Sequence, residues 1–158
     1  MKNLTTTFAG LTLRNPTIIS SPGLTNTAEK CHTWEDAGAG AIVLKSIFEE
    51  QIQQEYDHWK EYGNAEGNDY LQTYLRSHSL TEHIALIKEA KNQCNIPIIA
   101  SINCTTQASW VECAHIFEES GADALELNIM DTQTDINYEF GSYEMKHIDI
   151  LAQIKKHT

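Results

Sequence analysis

The chain has 158 residues, of which 41% are hydrophobic and 21% charged, and this ordinary composition predicts one globular domain with a buried core. Its formal net charge of −11, from 22 acidic against 11 basic residues, disfavours nucleic acids and anionic membrane surfaces as partners. The expected partner is therefore a small molecule or another protein.

The first predicted element is a β-hairpin. Residues 5–9 and 11–14 are short runs rich in Thr, Leu and Phe, and Gly10 separates them. Asn15-Pro16 then interrupts the pattern, because a residue that precedes proline is driven out of the helical region.

Two similar strand–helix–strand units follow, and in both the helix gives way to a Gly-Ala pair before an apolar strand. The first comprises residues 17–20 (TIIS), 27–37 and 41–45 (AIVLK). The second comprises residues 96–102 (IPIIASI), 108–120 and 124–128 (ALELN). Nearly continuous apolar strands separated by helices are typical of a parallel sheet that is covered on both faces.

The segment between the two units is longer, and we interpret residues 47–81 as an elaborated loop between a strand and a helix. Within it, residues 48–60 are predicted to form a polar helix and residues 63–68 a loop rich in glycine and asparagine. Residues 83–92 then form the predicted outer helix before the third strand. The last helix is predicted over residues 143–157, where isoleucine and leucine recur at helical spacing.

The predicted fold is therefore α/β, with four parallel strands that are each followed by a helix. A complete (β/α)8 TIM barrel has eight of each in about 250 residues, so residues 1–158 are interpreted as the N-terminal half of one such barrel domain. Two hypotheses explain the length: the chain is completed by a C-terminal half, or two half-barrels associate as a homo-oligomer. No device that would blunt the last strand edge is visible, which favours the first hypothesis.

In such barrels the ligand lies at the carboxyl ends of the strands, and this rule selects a set of small, polar or reactive residues. They are Ser20, Ser21, Pro22 and Gly23 after the first strand, Lys45 and Ser46 after the second, Ser101, Asn103 and Cys104 after the third, and Asn128, Met130 and Asp131 after the fourth.

Lys45 is the sharpest signal among them, because an ammonium that ends an apolar strand needs a partner. It is either a positive group that stabilises a bound anion or reduced cofactor, or one half of a structural salt bridge to Glu49 or Glu126. For Glu126, in the middle of the fourth strand, a structural role is favoured. Asn128 either holds a heterocycle or caps a loop, and Asp131 is either a general base or an inert loop carboxylate.

Metal binding and export are not expected. No two of the seven histidines have metal-ligand spacing together with a third, acidic or thiol, partner, and the four cysteines form no CxxC pair. The cysteines are predicted to be free thiols in a reducing cytoplasm. The N-terminus lacks the features of a signal peptide, and no apolar run is long enough to span a membrane, so a cytoplasmic location is expected.

Four segments together resemble the dihydroorotate dehydrogenase family and the flavin domain of dihydropyrimidine dehydrogenase. They are residues 15–23 (NPTIISSPG), the pair Lys45-Ser46, residues 98–110 (IIASINCTTQASW) and residues 121–128 (GADALELN). The resemblance runs from about the first strand to the end of the chain, and the combination is more specific than any one segment.

The resemblance implies a barrel with FMN at its mouth and a role in pyrimidine biosynthesis. A hydride would pass between a dihydropyrimidine-like substrate and the flavin, while a protein base handles the neighbouring proton. The implied cofactor contacts are Ser21, Gly23, Lys45, Ser46, Ser101 and Asn128, and the implied substrate contacts are Lys45, Asn103 and Asn128.

Two departures from the family pattern concern the substrate side. The family motif Asn-Leu-Ser-Cys-Pro-Asn has cysteine as its base, whereas residues 128–133 read NIMDTQ, so Asp131 takes the place of the cysteine. The Asn and Gly-Leu-x-Asn motif of the family's substrate loop is absent from residues 47–80. The main hypothesis is an FMN-dependent dehydrogenase acting on CH–CH bonds, in which Asp131 and Lys45 are catalytic. The alternatives are a non-catalytic or altered-substrate paralogue and a Schiff-base lyase that uses Lys45.

Overall fold

The computed structural model of the protein describes residues 3–20, 23–62, 68–130 and 139–157. Its strands are β1 (Thr6–Phe8), β2 (Leu11–Leu13), β3 (Ile18–Ile19), β4 (Ala41–Val43), β5 (Ile47–Phe48), β6 (Ile98–Asn103) and β7 (Ala124–Leu127). Its helices are α1 (Ala28–Asp36), α2 (Glu49–Tyr62), α3 (Asn68–Gln93), α4 (Gln107–Glu119) and α5 (Ser142–His157). None of the helices in this described part is long and apolar enough to cross a membrane.

The predicted N-terminal hairpin is confirmed. Strands β1 and β2 pair antiparallel, with Phe8 opposite Leu11. The two residues between them, Ala9 and Gly10, both have positive φ angles, of 47° and 80°. A two-residue hairpin turn of this kind matches the right-handed twist of the strands, and its backbone requirement explains the glycine.

The predicted parallel sheet is also confirmed, and β6 is its centre. Strand β7 pairs with residues 99–102 of β6, whereas β4 pairs with the beginning and β5 with the end of β6. Ile102 of β6 pairs with both β5 and β7, so these two strands lie on opposite edges of β6. Ile99 pairs with both β4 and β7 in the same way, so β4 and β5 lie on the same edge. Strands β4 and β5 therefore behave as one interrupted strand, and the order across the sheet is β3, then β4 with β5, then β6, then β7.

The segment of residues 47–81 differs from its predicted form. Strand β5 was not predicted, and α3 begins at Asn68 instead of near His83, so most of the expected loop is helix. The first half of α3 is largely polar, and only short pairs such as Leu71 and Leu75 have helical spacing there. Arg76 holds this half in place through its contacts with Glu49 of α2 and Glu112 of α4. The predicted loop glycines lie outside the described residues.

The two faces of the sheet have different covers, which we call the helix face and the hairpin face. In β6 the residues Ile98, Ala100 and Ile102 belong to the core that includes residues of α1, α3, α4 and α5. The alternate residue Ile99 belongs instead to a small cluster with Ala41, Val43 and Leu13 of the hairpin. All four cysteines are free and buried, as predicted.

Gly40 is expected to tolerate no side chain, because a Cβ atom there would lie 2.2 Å from the backbone oxygen of Asn15. Its amide also donates a 2.7 Å hydrogen bond to Thr17, at the start of β3. Gly40→Ala should therefore lower the free energy of unfolding by about 1–3 kcal/mol in urea denaturation. Gly23→Ala is the matched control, since nothing lies within 4 Å of a Cβ at that position. Equal stability of the two variants would contradict the expectation.

Candidate functional site

The hairpin face changes from apolar to polar along the direction of the strands. Near the amino ends, Ala41, Val43 and Ile99 lie under the hairpin. Towards the carboxyl ends, polar residues replace them, and we call this group the polar rim. Its members are Ser46, Ser101, Asn103, Glu126 and Asn128.

A chain of hydrogen bonds links three members of the rim across neighbouring strands. The Ser101 hydroxyl donates to Glu126 Oε1 at 2.6 Å, and the Ser46 and Ser101 hydroxyl oxygens are 2.7 Å apart. Because the single proton of Ser101 goes to Glu126, Ser46 must be the donor to Ser101. Ser46 and Ser101 are both buried. The carboxylate is thus held by a buried hydroxyl, in agreement with the structural role predicted for Glu126.

The two asparagines form a second polar layer at the strand ends. The Asn103 side-chain amide donates to the backbone oxygen of Asn128 at 2.7 Å. The backbone N–H of Asn128 donates to the backbone oxygen of Ile102 at 2.8 Å. The side-chain carboxamide of Asn128 makes no hydrogen bond to a described residue. The fold therefore fixes the backbone of Asn128 and leaves its carboxamide available at the mouth of the sheet.

Lys45 lies beside the rim and is exposed. Glu126 is hydrogen-bonded to Ser101, and Glu49 accepts hydrogen bonds from Thr105 and Ser109. The ion pairs among the described residues include none from Lys45 to either carboxylate, so the structural salt bridge, one of the two alternatives for Lys45, does not form with Glu49 or Glu126. Lys45 and Ser46 instead line a cavity of about 260 Å³ next to α2 and α3.

Glu49 anchors the loop that follows β6. Its carboxylate accepts hydrogen bonds from the amide and hydroxyl of Thr105 and from the Ser109 hydroxyl, at 2.7–2.8 Å, and Arg76 lies 3.7 Å away. Burial alone would raise the pKa of Glu49, but these hydrogen bonds and the charge of Arg76 hold it below its ordinary value. Glu49 therefore serves as a structural anchor beside the rim.

His83 of α3 lines the same cavity as Lys45, and the sequence analysis did not select it. Its ring packs against Phe117, with ring centroids 5.1 Å apart, and its buried Nε2 has no hydrogen-bond partner among the described residues. Burial, and then the charge of Lys45, lower the pKa of His83 to about 4. The sequence feature that could have predicted the burial of His83 is its helical spacing with Ile87 and Ala90, which are both buried.

The structure brings together most of the predicted site residues that it describes. Ser46, Ser101, Asn103 and Asn128 share the rim, and Lys45 is adjacent to Ser46. Gly23 begins a single 3-10 turn, Gly23–Thr25, close after β3. The remaining predicted residues, Ser21 and Asp131, lie outside the described residues.

Comparison with known proteins shows similarity to dehydrogenases over most of the chain, although it matches no protein-family model. It is 31% identical over 132 residues to the NAD-dependent dihydropyrimidine dehydrogenase subunit PreA of Escherichia coli strain K12, covering 80% of this chain and 32% of that protein. It is 31% identical over 157 residues to the catalytic subunit of dihydroorotate dehydrogenase B (NAD(+)) of Thermoplasma volcanium, covering 98% and 51%. For the same subunit of Methanosarcina acetivorans the identity is 33% over 139 residues, covering 82% and 40%.

These matches confirm the resemblance seen in the sequence, as a distant similarity. The chain spans only 32% to 51% of the length of these three relatives.

The buried His83 should make stability depend on pH. Its folded-state pKa of about 4 lies below the ordinary 6.5, so between these pH values the unfolded chain binds a proton at His83 that the folded chain does not bind. Stability should therefore fall as the pH falls from 6.5 to about 4, and His83→Gln should reduce this slope in urea denaturation at a series of pH values. His78→Gln, which removes an exposed histidine of the same helix, should keep the original slope. Identical slopes for the two variants would count against this account.

Proposed function

We propose that this chain forms part of an FMN-dependent oxidoreductase similar to dihydroorotate dehydrogenase, which moves a hydride between a dihydropyrimidine-like substrate and flavin in pyrimidine metabolism. The observation that carries the proposal is the polar rim. Hydroxyl and carboxamide groups gather at the carboxyl ends of adjacent parallel strands, with Lys45 beside them. The similarity to proteins named as dihydropyrimidine and dihydroorotate dehydrogenases supports it.

We propose further that residues 1–158 form the first half of a (β/α)8 barrel domain. Within the described residues β7 pairs only with β6, so its other edge is open to a further strand. Helix α5 exposes Met145, Ile148 and Leu151, which recur at every third position along one side. Phe140, just before α5, is 95% exposed. Further strands and helices of a barrel would cover both the open edge and this apolar surface.

The donor set at the rim fits a flavin. The isoalloxazine edge offers carbonyl and ring-nitrogen acceptors and gains negative charge on reduction, so it suits an ammonium and amide donors. Lys45 and Asn128 would donate to the ring, and Ser46 and Ser101, whose protons are donated within the rim, would contact it through their hydroxyl oxygens. Ser21 and Gly23 would approach from the neighbouring strand end. When bound, FMN supplies the hydride acceptor.

The protein would then supply charge, orientation and a base. Lys45 stabilises negative charge through its ammonium, and Asn128 donates from a carboxamide that the described residues leave unbonded. Asn103 holds the backbone of Asn128 and contacts the substrate beside it. Asp131, three positions further along the chain, takes the proton from the substrate carbon next to the hydride donor. A carboxylate is a much weaker base than a thiolate, so this role requires a desolvated setting that raises the pKa of Asp131.

Flavin binding tests the proposal directly. The purified protein should quench the fluorescence of added FMN, and Lys45→Ala and Asn128→Ala should each raise the Kd about tenfold, which is about 1.4 kcal/mol. Lys88→Ala on the exposed side of α3 is the control, and it should bind FMN like the unaltered protein. An unchanged Kd for Lys45→Ala would reject the flavin role of Lys45, and absence of FMN binding by the protein together with the rest of the barrel would reject the flavin proposal. Trapping of a substrate on Lys45 by borohydride would point instead to Schiff-base chemistry.

The base role of Asp131 requires a separate measurement. With FMN bound, Asp131→Asn should slow the anaerobic reduction of flavin by dihydroorotate or a dihydropyrimidine by roughly 100-fold or more, because a positioned base contributes about that much. The Kd for FMN should not change. A reduction rate equal to that of the unaltered protein would show that another group takes the proton.

A further inference from the structure

A second cluster of reactive side chains lies at the opposite end of the sheet from the polar rim. His32 and Glu35 are on α1, which ends shortly before β4 begins, and Cys94 follows α3 shortly before β6. One potential ligand atom from each residue lies within 4.8 Å of the other two. The three residues are therefore grouped at the amino ends of the strands, outside the proposed flavin site.

The cluster contains a buried carboxylate that, among the described residues, is ion-paired only with an exposed histidine. Glu35 and Cys94 are only 8% and 7% exposed. The ion pair that the described residues provide for the Glu35 carboxylate comes from His32, whose side chain is 51% exposed. The nearby guanidinium of Arg14 donates to the backbone oxygens of Glu35 and Ala39. Because a buried anion is costly without a compensating charge, the site favours a cation.

The separation of the ligand atoms suits a small tetrahedral ion. His32 Nδ1 and Glu35 Oε2 are 3.7 Å apart, and two ligands at about 2.0–2.2 Å from a tetrahedral zinc ion are about 3.4 Å apart. The Asn95 amide donates to both Glu35 oxygens at 3.1 Å and so fixes the carboxylate, while lone pairs remain on each oxygen. Cys94 Sγ lies within 4.8 Å of both ligand atoms and would move towards them when an ion binds.

A second carboxylate lies near the other ring nitrogen of the histidine. Asp36 Oδ2 lies 3.9 Å from His32 Nε2, on the far side of the ring from Glu35. A metal-bound histidine usually gives its other ring nitrogen to such a carboxylate, which fixes the tautomer and the direction of the ligand. Asp36 is therefore placed to accept from His32 Nε2 once the 3.9 Å separation closes to hydrogen-bond distance.

We propose that His32, Glu35 and Cys94 form a zinc site, with a fourth position open to solvent on the side of His32. A set of nitrogen, oxygen and sulfur donors favours zinc, whereas calcium and magnesium take oxygen ligands. The bound ion joins the end of α1 to the segment between α3 and β6, so it stabilises the amino end of the sheet. The sequence analysis predicted no metal site because only the His32–Glu35 spacing is local, and the fold brings Cys94 to it.

Cobalt(II) is the probe for the thiolate ligand, because a cobalt–thiolate bond absorbs in the near ultraviolet by charge transfer. One equivalent of Co²⁺ added to the reduced, metal-stripped protein should produce this absorption, and Zn²⁺ should remove it by displacement. Cys94→Ser should abolish it, while Cys104→Ser, which alters a buried thiol elsewhere in the fold, should keep it.

Zinc affinity, measured by competition with a chromophoric chelator, tests the histidine ligand. His32→Gln should weaken zinc binding by roughly tenfold or more. Because His32 is exposed, the variant should fold like the unaltered protein, which circular dichroism checks. His78→Gln is the matched exposed control. Cobalt absorption that survives Cys94→Ser, or an unchanged zinc affinity in His32→Gln, would overturn the proposal. Neither readout depends on flavin or turnover.

Discussion

The structure depends on the pairing of β6 with strands on both of its edges. The backbone oxygens of Pro97 and Ile99 accept from β4 and the residue that follows it, and those of Ile98 and Ile102 accept from the two residues that flank β7. Alternate carbonyls thus serve opposite edges, as a central parallel strand requires. The same alternation assigns the side chains of β6 to the helix face or to the hairpin face, and every residue of β6 is buried. A shift of one residue would place Ser101 in the apolar helix core.

This register also explains why a polar site can exist on a buried strand. Leu13 of the hairpin covers the apolar half of the hairpin face. The other half of that face carries polar side chains that form hydrogen bonds with one another. Ser46, Ser101 and Glu126 form a continuous hydrogen-bonded chain, so the burial of their polar atoms costs little. Among the rim residues that the structure describes and Lys45 beside them, the donors left for a ligand are the carboxamide of Asn128 and the ammonium of Lys45.

The two proposed sites lie at opposite ends for a topological reason. In a parallel sheet every strand ends at the same end of the sheet, and each helix returns the chain to the opposite end. Residues that follow strands, such as Asn103 and Asn128, therefore meet at one end. Residues near the ends of helices, such as Glu35 and Cys94, meet at the other. The first end offers the ammonium of Lys45 and the carboxamide of Asn128, whereas the second holds a buried carboxylate and a buried thiol, so the two suit different ligands.

The sequence by itself determined the hairpin, the apolar parallel strands, the helices between them and the residues at the strand ends, because hydrophobic periodicity and glycine placement are local properties. It could not determine the full length of α3, whose polar first half is fixed by distant ion pairs of Arg76. It also could not reveal that Glu126 accepts a hydrogen bond from Ser101 or that Lys45 lies beside a buried His83. Nor could it show that Cys94 lies close to His32 and Glu35. Those contacts join residues far apart in the chain, and only the folded sheet brings them within reach of one another.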